Sequence, residues 1–307
     1  MRVIAQAPCR IGLLGGGTDV GEYASKYGGI CINLAINIRQ KIELEGSGHE
    51  ITPLLNIPTD CEPGFYMKFF EEMDIMPQEI KQSFDGEIES GLGSSAAVAS
   101  ALVGGLAKLK GIIMTKEEIA EEAWDIEVNK LGLFGGKQDQ YAAVYGGANL
   151  LLFEDKVYRY SLSKDKIDKI TPYMCLFYTG INRNSPNIQE GLRNIKIRQK
   201  VALDKIKALT YDGIDVINNA DWEGLGYLLD EAWEYKKQSN VGISDMAIGR
   251  LYESAKSHGA IGGKILGSGG GGHMMFITKD PEKLISSMKI KHIPFEVDWE
   301  GLKVDEI

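Results

Sequence analysis

The sequence has few cysteines and few histidines, and neither residue type is clustered. Its 307 residues include four cysteines without a Cys-x-x-Cys pair and four histidines without a His-x-x-x-His spacing. A zinc site and a disulfide framework are therefore not indicated. No apolar run is long enough to cross a bilayer, and the first residues lack the apolar core of a signal peptide. We expect a cytoplasmic protein with no membrane partner.

Positive charge is also scarce relative to negative charge, since the net charge is −9. Nucleic-acid backbones are held mainly by clustered Lys and Arg, so a nucleic-acid partner is not expected. A local basic pocket for a small anionic substrate is still compatible with this balance. With 44% hydrophobic and 25% charged residues, the composition is that of a globular protein. The length suggests one large or two modest domains, and we favour two.

The first half of the chain is predicted to contain a sheet and two helices. Alternating apolar residues predict strands at 2–7 and 38–45, and a hairpin is expected at 148–153 and 157–162. The alanine-rich segment 94–110 predicts a helix that ends at Gly111, because glycine often follows the end of a helix. A second helix is expected from Thr115 to the region of Lys130, since Thr115 and Glu118 can form a capping box.

The second half mixes helices with strands, which predicts an α+β domain. Helices are expected at 186–209, 222–238, 244–258 and 281–289. Strands are expected at 173–179, 272–278 and 293–299. Ser244 is the expected cap of the third helix. A boundary within 164–172 divides the chain into domains at 1–165 and 166–307.

The most informative segment places a glycine-hinged, serine-rich turn directly before the alanine-rich helix. Its residues are Gly91, Leu92, Gly93, Ser94, Ser95 and Ala96. The first N–H groups of a helix lack intrahelical partners and its N-terminus is positive, so a phosphate is bound there without a basic side chain. Ser94 or Ser95 can cap the helix or face a metal ion. The alternative is an ordinary serine-capped helix after a tight turn.

This turn differs from two common nucleotide-binding motifs. It is not a Walker A loop, because no Gly-Lys-Ser/Thr follows, and its glycine spacing is not that of a dinucleotide fingerprint. Since the turn contains no lysine, the charge of a bound phosphate must be met by the helix N-terminus and a divalent cation. Mg²⁺ is the expected cation because it combines a few protein oxygens with substrate phosphates.

A second glycine cluster follows an apolar strand near the start of the chain. The strand ends in Gly15, Gly16 and Gly17, and Thr18 and Asp19 come next. Glycines leave room for a ligand, and a hydroxyl beside a carboxylate suits a polyol. The alternative is a glycine-rich turn with an Asx-type cap. Arg10 lies within the same apolar strand, and a buried arginine normally needs an anionic partner.

Two further segments contain residues suited to chemistry. Asp139 follows a glycine hinge and Lys137, which would favour the ionised form of the carboxylate, and Glu127 closes the preceding helix. A solvated Lys and Asp near a turn is the alternative. Late in the chain, Gly269, Gly270 and Gly271 belong to a run of glycines between two strands. A ligand close to this backbone is one explanation for the run, and a flexible turn is the other.

Taken in order, these segments resemble the motifs of the GHMP kinases. Residues 8–19 are similar to the first motif of that family, 91–96 to its ATP-binding second motif, and 264–272 to its glycine-rich third motif. The forms Gly-Gly-Gly-Thr-Asp and Gly-Gly-Lys-Gln-Asp-Gln-Tyr are most similar to the sugar 1-kinase branch, which includes heptose 7-phosphate kinases and fucokinases. Galactokinases have Gly-Glu-His-Thr-Asp instead, so galactose is not the expected substrate.

The resemblance implies an α+β protein with two domains and a cleft between them. The first domain would be like domain 2 of ribosomal protein S5, and the second would be ferredoxin-like. By position, Asp139 matches the catalytic aspartate, and Arg10 the basic residue near the transferred phosphoryl group. Ser95 and Glu127 match residues that hold Mg²⁺ in several members. Asp19 matches a ligand of a sugar hydroxyl.

The expected activity is ATP-dependent phosphorylation of a monosaccharide or sugar phosphate at the anomeric hydroxyl, with D-glycero-D-manno-heptose 7-phosphate favoured. ATP and Mg²⁺ are the expected cofactors, and the enzyme is a monomer or a homodimer. Arg183 or Arg193 could receive a terminal phosphate of the substrate. The alternatives are a fucokinase or galactokinase-like enzyme, a non-catalytic sensor of sugar and nucleotide, and a decarboxylase or isoprenoid kinase.

Overall fold

The structure, a computed structural model, describes residues 1–46, 63–86, 91–181, 195–239 and 242–307. These residues form a six-stranded sheet and a four-stranded sheet, each with helices packed against it. Neighbouring strands are antiparallel in both sheets. Within the described ranges, no helix has the length and apolar character needed to span a bilayer.

The six-stranded sheet is built mainly from the first half of the chain. Its strands are β1 (Arg2–Leu14), β2 (Gly29–Glu45), β3 (Glu79–Phe84), β4 (Ala148–Phe153), β5 (Val157–Ser161) and β10 (Lys303–Glu306). Their order is β10-β1-β2-β4-β5, and β3 also pairs with β2. The hairpin expected from β4 and β5 is confirmed.

The first two strands are longer than the sequence predicted. Alternating burial ends in β1 at Ala7, and a run of buried residues continues to Ile11. The expected bounds 2–7 and 38–45 are wrong because strands buried on both faces do not alternate in sequence. The extra length brings Arg10 into the sheet.

Helices of the first half of the chain carry part of the second motif and the segment around Asp139. They are α1 (Gly21–Tyr27), α2 (Pro63–Glu72), α3 (Ser94–Lys110), α4 (Lys116–Asp125), α5 (Gln138–Tyr145) and α6 (Lys164–Ile170). The predicted α3 is confirmed, and it ends at the left-handed Gly111. The capping box of Thr115 and Glu118 is also confirmed. After α4 the chain changes to a π-helix, Ile126–Lys130, which carries Glu127.

The four-stranded sheet belongs to the second half. Its strands are β6 (Met174–Tyr178), β7 (Ala260–Ile265), β8 (His273–Thr278) and β9 (Lys291–His292), and its order is β7-β8-β6-β9. The helices there are α7 (Ile197–Asn218), α8 (Trp222–Ser239), α9 (Met246–Ser257) and α10 (Pro281–Ser287). The strands and helices follow the β-α-β-β-α-β pattern of ferredoxin-like domains, so the predicted fold class is confirmed.

Three predictions of local structure are wrong. The helix expected at 186–209 continues to Asn218, because Gly213 and Ile217 extend its buried face, and its expected start at 186 lies outside the described residues. Asp245, rather than Ser244, caps α9 through a bond from the Ile248 N–H to its carboxylate. The strand expected at 293–299 is absent from those residues, which form one isolated bridge at Val297, and β9 lies just before them at 291–292.

The last strand does not belong to the second sheet. β10 pairs with β1, and Asp298 forms an ion pair with Arg39 of β2 at 2.5 Å. The assignment of 166–307 to one domain is therefore corrected for 303–306, while the boundary near residue 165 stays a prediction. Buried side chains of both halves form one apolar cluster, in which Leu14 and Ile32 lie beside Gly213.

Candidate active site

Arg10 and Asp139 form a two-pronged ion pair at the centre of the site, in which Arg10 is buried and Asp139 is partly exposed. Arg10 is only 6% exposed. Its Nε and Nη2 atoms donate to the two carboxylate oxygens of Asp139, each at 2.6 Å. Burial opposes the charge on Arg10, but Asp139 outweighs it and raises the pKa of the guanidinium. The expectation that Arg10 needs an anionic partner is confirmed.

The same arginine fixes the turn of the second motif. The Nη1 of Arg10 donates to the Gly91 carbonyl at 2.8 Å, and its backbone N–H donates to the Leu92 carbonyl at 2.8 Å. A Cβ added to Gly93 would lie 3.2 Å from the Arg10 side chain. Gly93 also has a φ of 73°, which glycine adopts at little cost. Two constraints, a close neighbour and a left-handed backbone, thus favour glycine at this position.

Neither serine caps α3. The N-cap is Gly93, without a side-chain cap. Ser94 is buried and accepts a hydrogen bond from Gln40 Nε2 at 2.6 Å, whereas Ser95 is exposed. The alternative of a serine-capped helix is therefore wrong. Since the N-cap Gly93 supplies no side-chain cap, this end of α3 is suited to an anion.

Ser95 faces Glu127, which is 5% exposed. The Ser95 hydroxyl donates to one carboxylate oxygen of Glu127 at 2.5 Å, and Gln140 Nε2 donates to the other at 2.7 Å. Burial raises the pKa of Glu127 to about 7. Hydroxyl and carboxylate oxygens are ligands that Mg²⁺ accepts, so the predicted pair fits this cation. Within the described part of the chain, no group of three or more His, Cys, Asp or Glu could hold a metal ion.

The high pKa of Glu127 gives a testable pH dependence. Between pH 4.5 and 7 the folded chain holds a proton on this group that the unfolded chain has lost, so its contribution to stability falls as pH rises. In Glu127→Gln this titration is absent. The difference in free energy of unfolding between wild type and Glu127→Gln should therefore shift by about 2 to 3 kcal/mol, against the wild type, as the pH rises from 4.5 to 7. Urea denaturation at several pH values measures it.

Glu118→Gln is the control, because the capping box lowers the pKa of Glu118. The stability that Glu118 contributes is present above its ordinary pKa and is lost as pH falls, so its pH dependence has the opposite sign. Parallel pH curves for wild type and Glu127→Gln would contradict the assignment.

Asp19 is held at the end of the first motif by a donor on each carboxylate oxygen. Oδ1 accepts from the Gly17 N–H at 3.1 Å, and Oδ2 accepts from Gln138 Nε2 at 2.9 Å. Burial, and then the charge of Asp139, raise the pKa of Asp19. Because Gln138 directly precedes Asp139, the first motif meets the segment that carries Asp139 here.

The Thr18 side chain contacts the backbone of the glycine turn. Its side chain is fully buried, and its hydroxyl lies 2.9 Å from the carbonyl oxygens of Gly15 and Ile30. It also accepts from the Ile30 N–H at 3.1 Å. The hydroxyl therefore stabilises the glycine turn, and contact of Thr18 with the substrate stays a prediction.

Gly136 is a functional residue that the sequence indicated only as a hinge. A Cβ on Gly136 would lie 2.1 Å from Asp19 Oδ2, whereas a Cβ on Gly135 would meet nothing within 4 Å. Gly136 therefore lets the segment before α5 approach Asp19. Two neighbouring glycines that look equivalent in sequence have different constraints.

Lys137 is not the cation beside Asp139 that the sequence predicts. Its Nζ donates to Glu121 and lies 4.5 Å from the centre of the Trp124 ring. The cation that contacts Asp139 is Arg10, so this part of the prediction is wrong. Trp124 Nε1 donates to the Gly135 carbonyl at 3.2 Å. Lys137 and Trp124 thus attach the segment before α5 to α4.

The late glycine run packs against protein backbone. A Cβ on Gly271 would lie 2.3 Å from the Ile181 carbonyl oxygen, and one on Gly269 would lie 3.0 Å from the Ile243 Cα. Gly270 donates its N–H to the Ile243 carbonyl at 2.9 Å. These contacts explain the glycines without a ligand. Substrate contact by Gly269, Gly270 and Gly271 stays a prediction.

Two lysines of the second half, missed at the sequence level, also reach the site. Lys236 Nζ donates to the Gly16 carbonyl at 3.2 Å, and Lys264 Nζ donates to the Leu13 carbonyl at 3.0 Å. Lys264 could have been singled out as Arg10 was, since it lies among apolar residues of a strand. Lys236 gave no signal, because a lysine near the end of a helix is usually solvated. Arg183 and Arg193 lie outside the described residues.

The geometry defines a class of protein. An uncapped helix N-terminus, a buried arginine–aspartate pair beside it and a second carboxylate near its first turn suit phosphoryl transfer. Residues 64–147 match the family model for the N-terminal domain of GHMP kinases, and residues 214–291 match that for the C-terminal domain. The chain belongs to the GHMP kinase family and is a phosphotransferase.

Two curated relatives and one solved structure match this chain over nearly its whole length. A D-glycero-alpha-D-manno-heptose 7-phosphate kinase of Campylobacter jejuni is 29% identical, over 92% of this chain and 91% of its own length. A mevalonate kinase of Pyrococcus furiosus is 26% identical, over 100% and 99%. The solved structure of a D-glycero-D-manno-heptose 1-phosphate kinase from Bacteroides thetaiotaomicron has a TM-score of 0.76 at 25% identity, covering 99% of each chain.

Proposed function

We propose that this chain is an ATP-dependent sugar kinase that acts on a heptose phosphate such as D-glycero-D-manno-heptose 7-phosphate. The observation that carries the proposal is the position of Arg10. Its guanidinium contacts Asp139 and the Gly91 carbonyl, so the phosphate-binding turn and the segment that carries Asp139 are joined through one side chain. Through Gln138, the same segment contacts Asp19. The acceptor and the nucleotide phosphates would thus meet beside the Arg10–Asp139 pair.

The proposed reaction needs positioning and charge neutralisation more than covalent chemistry. Asp139 would accept the proton of the anomeric hydroxyl. The hydroxyl oxygen of the sugar would bond to the γ-phosphorus of ATP as the bond between that phosphorus and the ADP oxygen breaks. Arg10 would stabilise charge on the transferred phosphoryl group. The first N–H groups of α3 would hold the nucleotide phosphates, and Asp19 would orient a sugar hydroxyl. Mg²⁺, when bound by Ser95 and Glu127, would neutralise part of the phosphate charge.

The choice of a sugar phosphate as acceptor is supported by the names of the relatives and by the two carboxylate oxygens of Asp19. A carboxylate accepts hydrogen bonds from neighbouring hydroxyls, as a sugar offers. The competing acceptor is mevalonate, because a mevalonate kinase matches the whole chain at 26% identity. The proposal includes a cytoplasmic location, where ATP and sugar phosphates occur together.

A coupled ADP-release assay tests the proposal. Purified protein with ATP and Mg²⁺ is given hexoses, 6-deoxyhexoses, heptoses, their terminal phosphates and mevalonate. We expect the highest kcat/KM with a heptose 7-phosphate, and a product that carries a new phosphate at C1 by phosphorus NMR. Faster turnover of mevalonate than of any sugar would overturn the choice of acceptor. Binding of sugar and ATP without ADP release would indicate a sensor instead.

A further inference from the structure

Two ammonium groups from the second half of the chain lie against the glycine turn that precedes Asp19. Lys236 extends from α8, and Lys264 extends from β7. Their Nζ atoms bond to the carbonyls of Gly16 and Leu13, three residues apart in the chain. Lys236 is only 8% exposed. Two cations from distant elements therefore converge on one turn.

These two charges are poorly compensated by the protein. Within the part of the chain that the structure describes, neither Nζ has a carboxylate oxygen within 4 Å. Burial lowers the pKa of both lysines, and lowers that of Lys264 to about 7. Asp139 is already paired with Arg10, which leaves Asp19 as the nearby carboxylate that favours the charged lysines. A buried cation without a partner is costly, so an anion is expected to complete this cluster.

The surface next to the lysines is open at Gly16. Gly16 is partly exposed. A Cβ placed on it would lie 3.9 Å from Lys264 Nζ and 4.0 Å from Gln138 Nε2, with no nearer heavy atom outside its chain neighbours. The absent side chain thus leaves space between an ammonium and an amide donor. Each lysine uses one N–H on a backbone carbonyl and has two more to donate.

We propose that Lys236 and Lys264 bind the phosphate that the acceptor sugar carries before the reaction. The inference rests on the proposed function and specifies its substrate, because a sugar phosphate kinase needs an anion site in addition to the site for the nucleotide phosphates. The N-terminus of α3 with Ser95 serves the nucleotide. The lysine pair lies on the Asp19 side of the site, where the acceptor would bind, and hydrogen bonds between ammonium and phosphate oxygens are among the stronger ones in proteins.

The test compares a sugar phosphate with the same sugar lacking the phosphate. Wild type should prefer the phosphorylated heptose. In Lys236→Met and Lys264→Met, the KM for heptose 7-phosphate should rise about 10- to 100-fold, as expected for loss of one charged hydrogen bond. The KM values for unphosphorylated heptose and for ATP should change less than about 3-fold. Lys264→Arg keeps the charge and should retain most of the preference for the phosphate.

Lys237→Met is the matched control, because its ammonium pairs with Glu234 on the surface next to Lys236. It should leave both KM values unchanged. If both sugars lose affinity equally in the Met variants, the lysines only stabilise the glycine turn and the inference is overturned. If wild type phosphorylates no sugar, the proposed function fails first and the inference fails with it. The two failures are therefore distinguishable.

Discussion

Asp139→Asn should lower kcat by about three orders of magnitude, within the range of loss of a general base, and should leave ATP affinity nearly unchanged. Asn has the shape of Asp and can still accept a bond from Arg10, but it cannot accept the hydroxyl proton. ATP is expected to bind through α3 and Ser95, whereas the Asp139 side chain is hydrogen-bonded to Arg10. Steady-state kinetics give kcat, and the thermal shift produced by ATP reports nucleotide binding.

Folding must be checked in this variant because Asp139 is the partner of a buried arginine. Removing one member of a buried ion pair costs about 3 to 5 kcal/mol, although the neutral amide retains one acceptor oxygen and so reduces the loss. Asp168→Asn is the control, since its ion pair with Lys164 is exposed. Wild-type turnover in folded Asp139→Asn would exclude Asp139 as the base. Loss of ATP binding would instead place Asp139 in the nucleotide site.

Gly136→Ala should damage the acceptor site although it adds only one methyl group. The new Cβ would lie 2.1 Å from Asp19 Oδ2 and 2.6 Å from the Asp19 backbone oxygen, so Asp19 must move. A displacement near 1 Å at a reacting centre costs on the order of 100-fold in rate, and overpacking costs about 1 to 3 kcal/mol of stability. We expect kcat/KM for the acceptor to fall on the order of 100-fold, with the KM for ATP within a few-fold.

Gly135→Ala is a closely matched control. It makes the same substitution one residue earlier, where a Cβ meets no atom within 4 Å. This variant should keep wild-type kinetics and stability. Equal losses in both alanine variants would show that the segment needs flexibility rather than space beside Asp19, and the geometric explanation would then be wrong.

The chemistry-bearing residues were predictable, but their pairing was not. Arg10 and Asp139 were each singled out from local context, and they are 129 residues apart in sequence. Lys137 is only two residues from Asp139, so it was the natural candidate for the neighbouring cation. Helix geometry decides otherwise: Lys137 is the N-cap of α5 and its side chain reaches Glu121 on α4. Sequence proximity is a poor guide to contacts at the start of a helix.

Local helix signals were reliable where the residues themselves determine the backbone. The capping box at Thr115 and the glycine after Lys110 fixed two helix ends. Signals failed where tertiary packing decides, as in the buried halves of β1 and β2. The π-helix was not predicted either, since its five residues carry no turn or cap signal. It is this segment that places Glu127 opposite Ser95.

Glycines in the sequence indicated where a close contact occurs, but they did not show which group makes that contact. The run at 269–272 was explained by a ligand at the sequence level, and the structure shows contacts with the backbone of Ile181 and Ile243. The sequence indicates a hinge at Gly136, whereas in the structure its backbone lies close to the Asp19 carboxylate. A glycine in the sequence indicates that another group lies close to the backbone. Only the fold shows whether that group is a ligand or another part of the protein.

The pairing of β10 with β1 affects the order in which this protein can be completed. β1 begins at Arg2, whereas the strand on its outer side begins at Lys303. The other five strands of that sheet have been synthesised by Ser161, and until β10 arrives the thirteen-residue β1 has an unpaired edge, which other chains can bind. In topological terms the four-stranded sheet is inserted between β5 and β10 of the six-stranded sheet. The ribosome must therefore finish the inserted segment before the six-stranded sheet can be completed.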